Sequence, residues 1–299
     1  MPKMSVKGKN HFQKSFTIIE LLVVIAVIGL ISSIILVNLD LPGQKQKARI
    51  AKSLEFSQSL QNVLGSEAVG VWSFDDCGDE ASVPTTLNDG SGYGNNGTNN
   101  GAICRDDTPH KVVGAGSGKY ALSFNGAGDY VNLGAHAIYQ FGTNPFTLEV
   151  WIKTSGAGTV ILWHGTGTSG AYGITIGTAA SFEASGAVGN FAIGTSNVMN
   201  GNWHHIVGVR DTSGTTDIAR VYVDGVLEKT NTVEGIQTIS PNGYFLELGV
   251  YHGAWNPSSY FNGPIDEVRI YSQALTIGQI QKHYAEGAEK FKLMAYDIE

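Results

Sequence analysis

The sequence predicts a mainly β protein in which an antiparallel sandwich is carried behind one N-terminal membrane-crossing helix. Three observations lead there. The only long apolar run lies within the first forty residues. From Val69 onward helical periodicity gives way to short stretches in which apolar and polar residues alternate. Gly is abundant at 39 residues and Pro scarce at 8, while Val, Ile, Thr, Tyr and Phe recur in bursts between Asp-Gly and Asn-Gly pairs, the composition of many short strands joined by tight turns. A chain of 299 residues accommodates one large sandwich plus an appendage.

The appendage comes first. Lys3, Lys7, Lys9 and Lys14 precede an apolar run from Phe16 to Val37, long enough to span a bilayer as a helix, which takes about 20 residues. The lysines hold the N-terminus on the cytoplasmic side, so everything after Leu39 is expected outside. The run ends Leu36-Val37-Asn38-Leu39-Asp40, without the small-residue cleavage site of a secretory signal. It contains one acid, Glu20, whose insertion would cost roughly 2.5–3.5 kcal/mol near the bilayer centre and less towards its edge, so that carboxylate needs a partner. Leu41-Pro42-Gly43 marks a break. Ile50, Leu54, Ser57, Leu60 and Leu64 then share one face of a second helix, with Lys45, Lys47, Arg49 and Lys52 on others. The expected segments are a basic leader over 1–15, the membrane helix over 16–39 and a polar extension over 40–66.

Lys14-Ser15-Phe16-Thr17-Ile18-Ile19-Glu20-Leu21-Leu22-Val23 resembles the prepilin signal of type IV pilins and pseudopilins. The resemblance implies cleavage by a prepilin peptidase between Ser15 and Phe16, methylation of the new Phe16 amine, and assembly with other pilin subunits. Glu20 becomes the acid at the fifth mature position, able to pair with the Phe16 amine of a neighbouring subunit. Where the family prefers Gly, this sequence has Ser15. The implied location is the bacterial cytoplasmic membrane, single-pass, with the head outside and extracellular once assembled.

The head is expected over 67–285. Val71-Trp72-Ser73-Phe74, Ala121-Leu122-Ser123-Phe124, Phe146 to Trp151 and Glu267 to Tyr271 alternate as half-buried strands. Asp224-Gly225 between two such runs signals a two-residue hairpin. Trp72-Ser73-Phe74-Asp75, Asp89-Gly90-Ser91-Gly92, Ala121 to Gly126, Phe146 to Trp151, Trp203-His204-His205-Ile206, Tyr222-Val223-Asp224-Gly225 and Ile265 to Tyr271 stand in the order and spacing of the laminin-G-like, concanavalin A-like jelly rolls, which they resemble. A short helix from Ile277 to Tyr284 and a frayed tail over 286–299 complete the expectation.

The chemistry of the head is that of binding. A charge of −7 leaves no basic surface for phosphates, so nucleic acid is not an expected partner. Cys77 and Cys104 lack metal-ligand spacing; outside the cytoplasm they are expected to form one disulfide, the alternative being two free thiols too far apart to bridge. His204 and His205 are strand neighbours that point to opposite faces and cannot share an ion. The jelly-roll resemblance implies a Ca²⁺ near the first and last strands, with Asp75, Asn125 and Asp266 as oxygen ligands; the alternative is that Asp266 is a turn acid. No E-x-D-x-x-E or G-x-S-x-G pattern is present, and Glu149 and Glu183 lack partners at useful spacing, so enzyme activity is not expected. Aromatic residues expected in loops supply a ligand platform: Trp163, Tyr172, Tyr251, Trp255 and Tyr260. The function implied is a pilus or pseudopilus subunit displaying a lectin-like head for adhesion to a cell-surface glycan or protein. The alternatives are a tethered carbohydrate-binding protein that never assembles, and a surface glycan hydrolase.

Overall fold

The computed structural model describes residues 68–77, 83–105, 120–164, 170–186, 189–240, 245–251 and 259–292. The chain divides into two compact units, Met1–Gln58 and Ser59–Glu299, and the described residues all lie in the second. The expected leader, membrane helix and polar extension, with Ser15, Phe16 and Glu20, lie outside the described residues. Among the described residues no helix is long and apolar enough to cross a membrane.

The described residues form sixteen strands and one α-helix. In chain order these are β1 (Ala68–Trp72), β2 (Thr86–Leu87), β3 (Gly97–Asn100), β4 (Ile103–Arg105), β5 (Ala121–Asn125), β6 (Tyr130–Asn132), β7 (Phe146–Lys153), β8 (Gly158–His164), β9 (Ala171–Ile176), β10 (Ala180–Ser185), β11 (Phe191–Ile193), β12 (Trp203–Asp211), β13 (Thr216–Val223), β14 (Val226–Glu234), β15 (Leu246–Leu248), β16 (Asn262–Tyr271) and α1 (Ile277–Lys292). The first sheet runs β14-β13-β12-β7-β16-β5-β4, with β1 also paired to β16; the second runs β11-β10-β9-β8-β15-β6-β3-β2. The fold is a mainly β, antiparallel two-sheet jelly roll, as the sequence predicts.

Alternation decides which side chains fill the space between the sheets. On β7, Phe146, Leu148, Val150 and Ile152 enter the core, where they meet Trp163, Tyr172, Ile174 and Phe182 from the second sheet. Phe146 stacks on Phe141 with centroids 4.5 Å apart and lies 4.9 Å from Tyr172. At this depth a polar group must be paired, and Arg210 is: it donates to Asp217 and to the carbonyls of Gly142 and Asn144. The Cys77–Cys104 disulfide is formed, with Cα atoms 5.8 Å apart, and ties the segment after β1 to β4.

The predicted hairpin is present. Asp224 and Gly225 both have positive φ, 51° and 76°, the signature of the turn whose twist matches that of the flanking strands. α1 begins in a reciprocal cap, the Thr276 amide donating to Gln279 Oε1 and the Gln279 amide to Thr276 Oγ1. The helix continues to Lys292, beyond the Tyr284 expected from sequence, because its outer half has its own packing surface: Ala288 is buried. Trp203 sits at a half-buried position at the start of β12 rather than in the core, an odd number of residues from Ile206, which faces inward.

Candidate functional site

The structure separates the expected platform aromatics. Trp163 and Tyr172 are fully buried and cannot form an exposed platform. They occupy inward positions on β8 and β9, where they pair across the ladder, and the Tyr172 hydroxyl donates to the Tyr139 carbonyl. The alternation in Gly158 to His164 and in Ala171 to Ile176 carries that information: strands extend through both residues, so neither is in a loop. Tyr251 and Tyr260 are half-buried and bracket the segment that contains Trp255; Trp255 itself lies outside the described residues.

Of the oxygen ligands expected for Ca²⁺, Asn125 and Asp266 each have a local hydrogen-bonding role. Asn125 closes a turn: it donates to Asp129 through its amide and Nδ2, and its Oδ1 accepts the Ala127 amide. Asp266 is buried on β16, and its Oδ1 accepts the amide of Glu267 at a bulge between Asp266 and Arg269. Among the described residues no group of three or more His, Cys, Asp or Glu side chains is placed to share a metal ion.

A polar cluster that sequence reasoning missed lies on the outer face of the first sheet, under α1. Glu149, fully buried on β7, accepts from His205 Nε2 at 3.1 Å, His283 Nδ1 at 2.8 Å and Arg269 Nη1 at 3.2 Å. Burial pushes the Glu149 carboxyl up, but His283, His205 and Arg269 outweigh it and hold the group well below the usual carboxylate range. Around it Trp151 stacks on Tyr284 with centroids 5.9 Å apart, and Tyr271 on His283 at 6.0 Å. The cluster is roofed by the helix and clamps it, with Glu149, His205 and His283 all buried. The two adjacent histidines diverge as strand geometry requires, His205 to Glu149 and His204 Nδ1 to Asp224 at 2.8 Å.

The outer face of the second sheet has a different character. Cross-strand register places Phe191, Glu183, Gly173, Leu162, Glu247, Asn132 and Thr98 in one row, and paired residues share a face. The adjoining row holds Ile193, Ser181, Thr175 and Thr159. The segment before β16 crosses the sheet at β8: Thr159 Oγ1 donates to Ser259 Oγ at 3.1 Å, and a Cβ on Gly158 would lie 2.7 Å from the Phe261 Cα. This segment carries Tyr260, and β11 is the edge strand of the sheet. The strands of this sheet contain no Lys or Arg, whereas the first sheet carries Arg105, Lys153, Arg210, Arg220, Lys229 and Arg269.

Two antiparallel sheets packed face to face, one of them with a helix against its outer side, define a lectin-like sandwich. Residues 125–281 match the concanavalin A-like lectin/glucanases superfamily, and the chain belongs to that family. Residues 10–36 match the prokaryotic N-terminal methylation motif. Among solved structures, the binding domain of Paraclostridial Mosquitocidal Protein 1 superposes with a TM-score of 0.55 at 12% identity over 74% of this chain and 52% of its own. The Trypanosoma rangeli sialidase in complex with sialic acid gives 0.52 at 15% identity over 75% and 33%. The Botulinum Neurotoxin Type G receptor binding domain gives 0.50 at 16% over 74% and 51%. The chain thus spans about half the length of the toxin domains it matches or less of larger neighbours, and at these identities the likeness is one of fold. No curated protein matches the sequence.

Proposed function

We propose that this chain is a pilin-like subunit of a type IV pilus or pseudopilus whose lectin-like head captures a glycan or protein ligand outside the cell. One observation carries the proposal: a methylation motif at 10–36 and a concanavalin A-like domain at 125–281 stand in that order on one chain. The motif supports processing by a prepilin peptidase before Phe16, retention in the cytoplasmic membrane and assembly with other pilin subunits through Phe16 and Glu20. The fold supports a binding role, being one that two toxins use in binding domains.

The test is to express the full chain with and without a prepilin peptidase and to determine its N-terminus by mass spectrometry. The expected product begins at a methylated Phe16, appears in sheared filaments, and is lost from them in Glu20→Ala. Because Ser15 replaces the preferred Gly, an uncut chain is the outcome that would overturn assembly and leave a membrane-tethered binding protein. Ca²⁺ belongs to the proposal through Asp75 and Asp266. If it binds there, millimolar Ca²⁺ raises the thermal midpoint of the head and a chelator reverses the rise; an unchanged midpoint removes the ion.

A further inference from the structure

We infer that the β10–β11 half of the second sheet's outer face is the ligand site, and that its ligand is a neutral oligosaccharide stacked on Phe191 and hydrogen-bonded to Glu183 and Ser181. The inference rests on the glycan-capturing reading above and specifies its site and ligand class.

Phe191 and Ile193 are 44% and 58% exposed, although both stand on a three-residue edge strand whose middle residue, Ala192, is buried in the core. Core packing therefore does not account for these two large apolar side chains. Glu183 pairs directly across from Phe191 and Ser181 directly across from Ile193, so each apolar group has a hydrogen-bonding neighbour on the same face. That combination suits a pyranose ring, which offers an apolar C–H face to an aromatic ring and hydroxyls at its rim. On the next strand Glu183 faces Gly173. With no side chain there, Leu162 closes over that position, its Cδ1 lying 2.6 Å from where a Cβ would stand, so the surface beside the carboxylate is apolar.

Charge selects the class of sugar. Glu183 and Glu247 lie in one row of this face, and no strand of the sheet carries Lys or Arg. A sialylated, uronic or sulfated glycan would meet the Glu183 carboxylate with no Lys or Arg on the strands around it, whereas a neutral glycan donates hydroxyl hydrogens to it. Burial raises the Glu183 carboxyl above its ordinary range, in keeping with a partly dehydrated acceptor.

The test uses the purified full chain in detergent on an array pairing neutral oligosaccharides, N-acetyllactosamine and maltotetraose among them, with sialylated, uronic and sulfated counterparts. The expected result is binding confined to neutral glycans. Phe191→Ala, which leaves Ala192 and the core untouched, weakens it at least about tenfold, and Glu183→Gln weakens it by a smaller factor, with circular dichroism unchanged. If the wild-type chain binds neutral glycans and both variants bind equally well, the site lies elsewhere and only this inference falls. Preference for the anionic members overturns it likewise. If the wild-type chain binds no glycan at all, the glycan reading of the head falls with it.

Discussion

Glu149 is the residue on which the first sheet's outer face depends. Its carboxylate receives hydrogen bonds from β12, β16 and α1, so removing its charge leaves three donors competing for one amide oxygen in a dry site. Glu149→Gln is expected to destabilise the head by about 3 kcal/mol, the lower end for breaking a buried ionic group, as read by urea denaturation. The pH sign follows from the depressed carboxyl: its contribution is present above the ordinary carboxylate range and is lost as pH falls through the lowered native value. The wild-type head should therefore lose stability on acidification more steeply than Glu149→Gln. Sequence reading identified Glu149 and Glu183 as carboxylates without catalytic partners, but the rest of this site was not legible. Local alternation shows which face a strand residue takes; it cannot show that His283, 134 positions away, folds onto the same face. The two aromatic misplacements have a related cause. Trp163 and Tyr172 were expected in loops, whereas the ladder between β8 and β9 continues past both residues.

Among the elements, α1 shows how far a local signal reaches. Its start was legible because Thr276 and Gln279 form a cap from four consecutive residues. Its length was not, because the last turns owe their order to the sheet beneath. Gly287 lies against the Trp151 ring, where a Cβ would come within 2.4 Å of Cζ2. In an isolated helix, Gly to Ala is worth about 1 kcal/mol in favour of Ala. Here the sign reverses: Gly287→Ala is expected to lower the thermal midpoint and to perturb the near-ultraviolet signal of Trp151, because the methyl must displace a ring already stacked on Tyr284. An unchanged or raised midpoint would show that the helix rides free of the sheet at that turn. The β13–β14 hairpin is the opposite case: Asp224 and Gly225 adopt the positive φ their chemistry favours, so two residues were enough to place two strands.

At the scale of the whole molecule, the class of the head was legible from the order of weak motifs, each short and none decisive alone. The family match begins at residue 125, yet the sandwich already includes Trp72 and Phe74 in its core, so the early motif Trp72-Ser73-Phe74 is part of the packed head. The ligand face was not legible. It is assembled by register across eight strands from residues spread between Thr86 and Leu248, and a one-residue slip in any ladder would turn its side chains into the core.

The pairing of the first strand with the last acquires a mechanical meaning in a tethered head. If the ligand is gripped on the second sheet while the membrane pulls on the chain ahead of Ala68, tension enters at β1 and loads its short ladder with β16. That ladder can peel, but only as far as Cys77, where the covalent link to Cys104 passes the load to β4 and on to β5. Ten residues released at about 3.3–3.6 Å each yield a slack of about 35 Å at most. In such a head the disulfide would act as a stop, limiting the extension to a fixed short length while the second sheet keeps its shape.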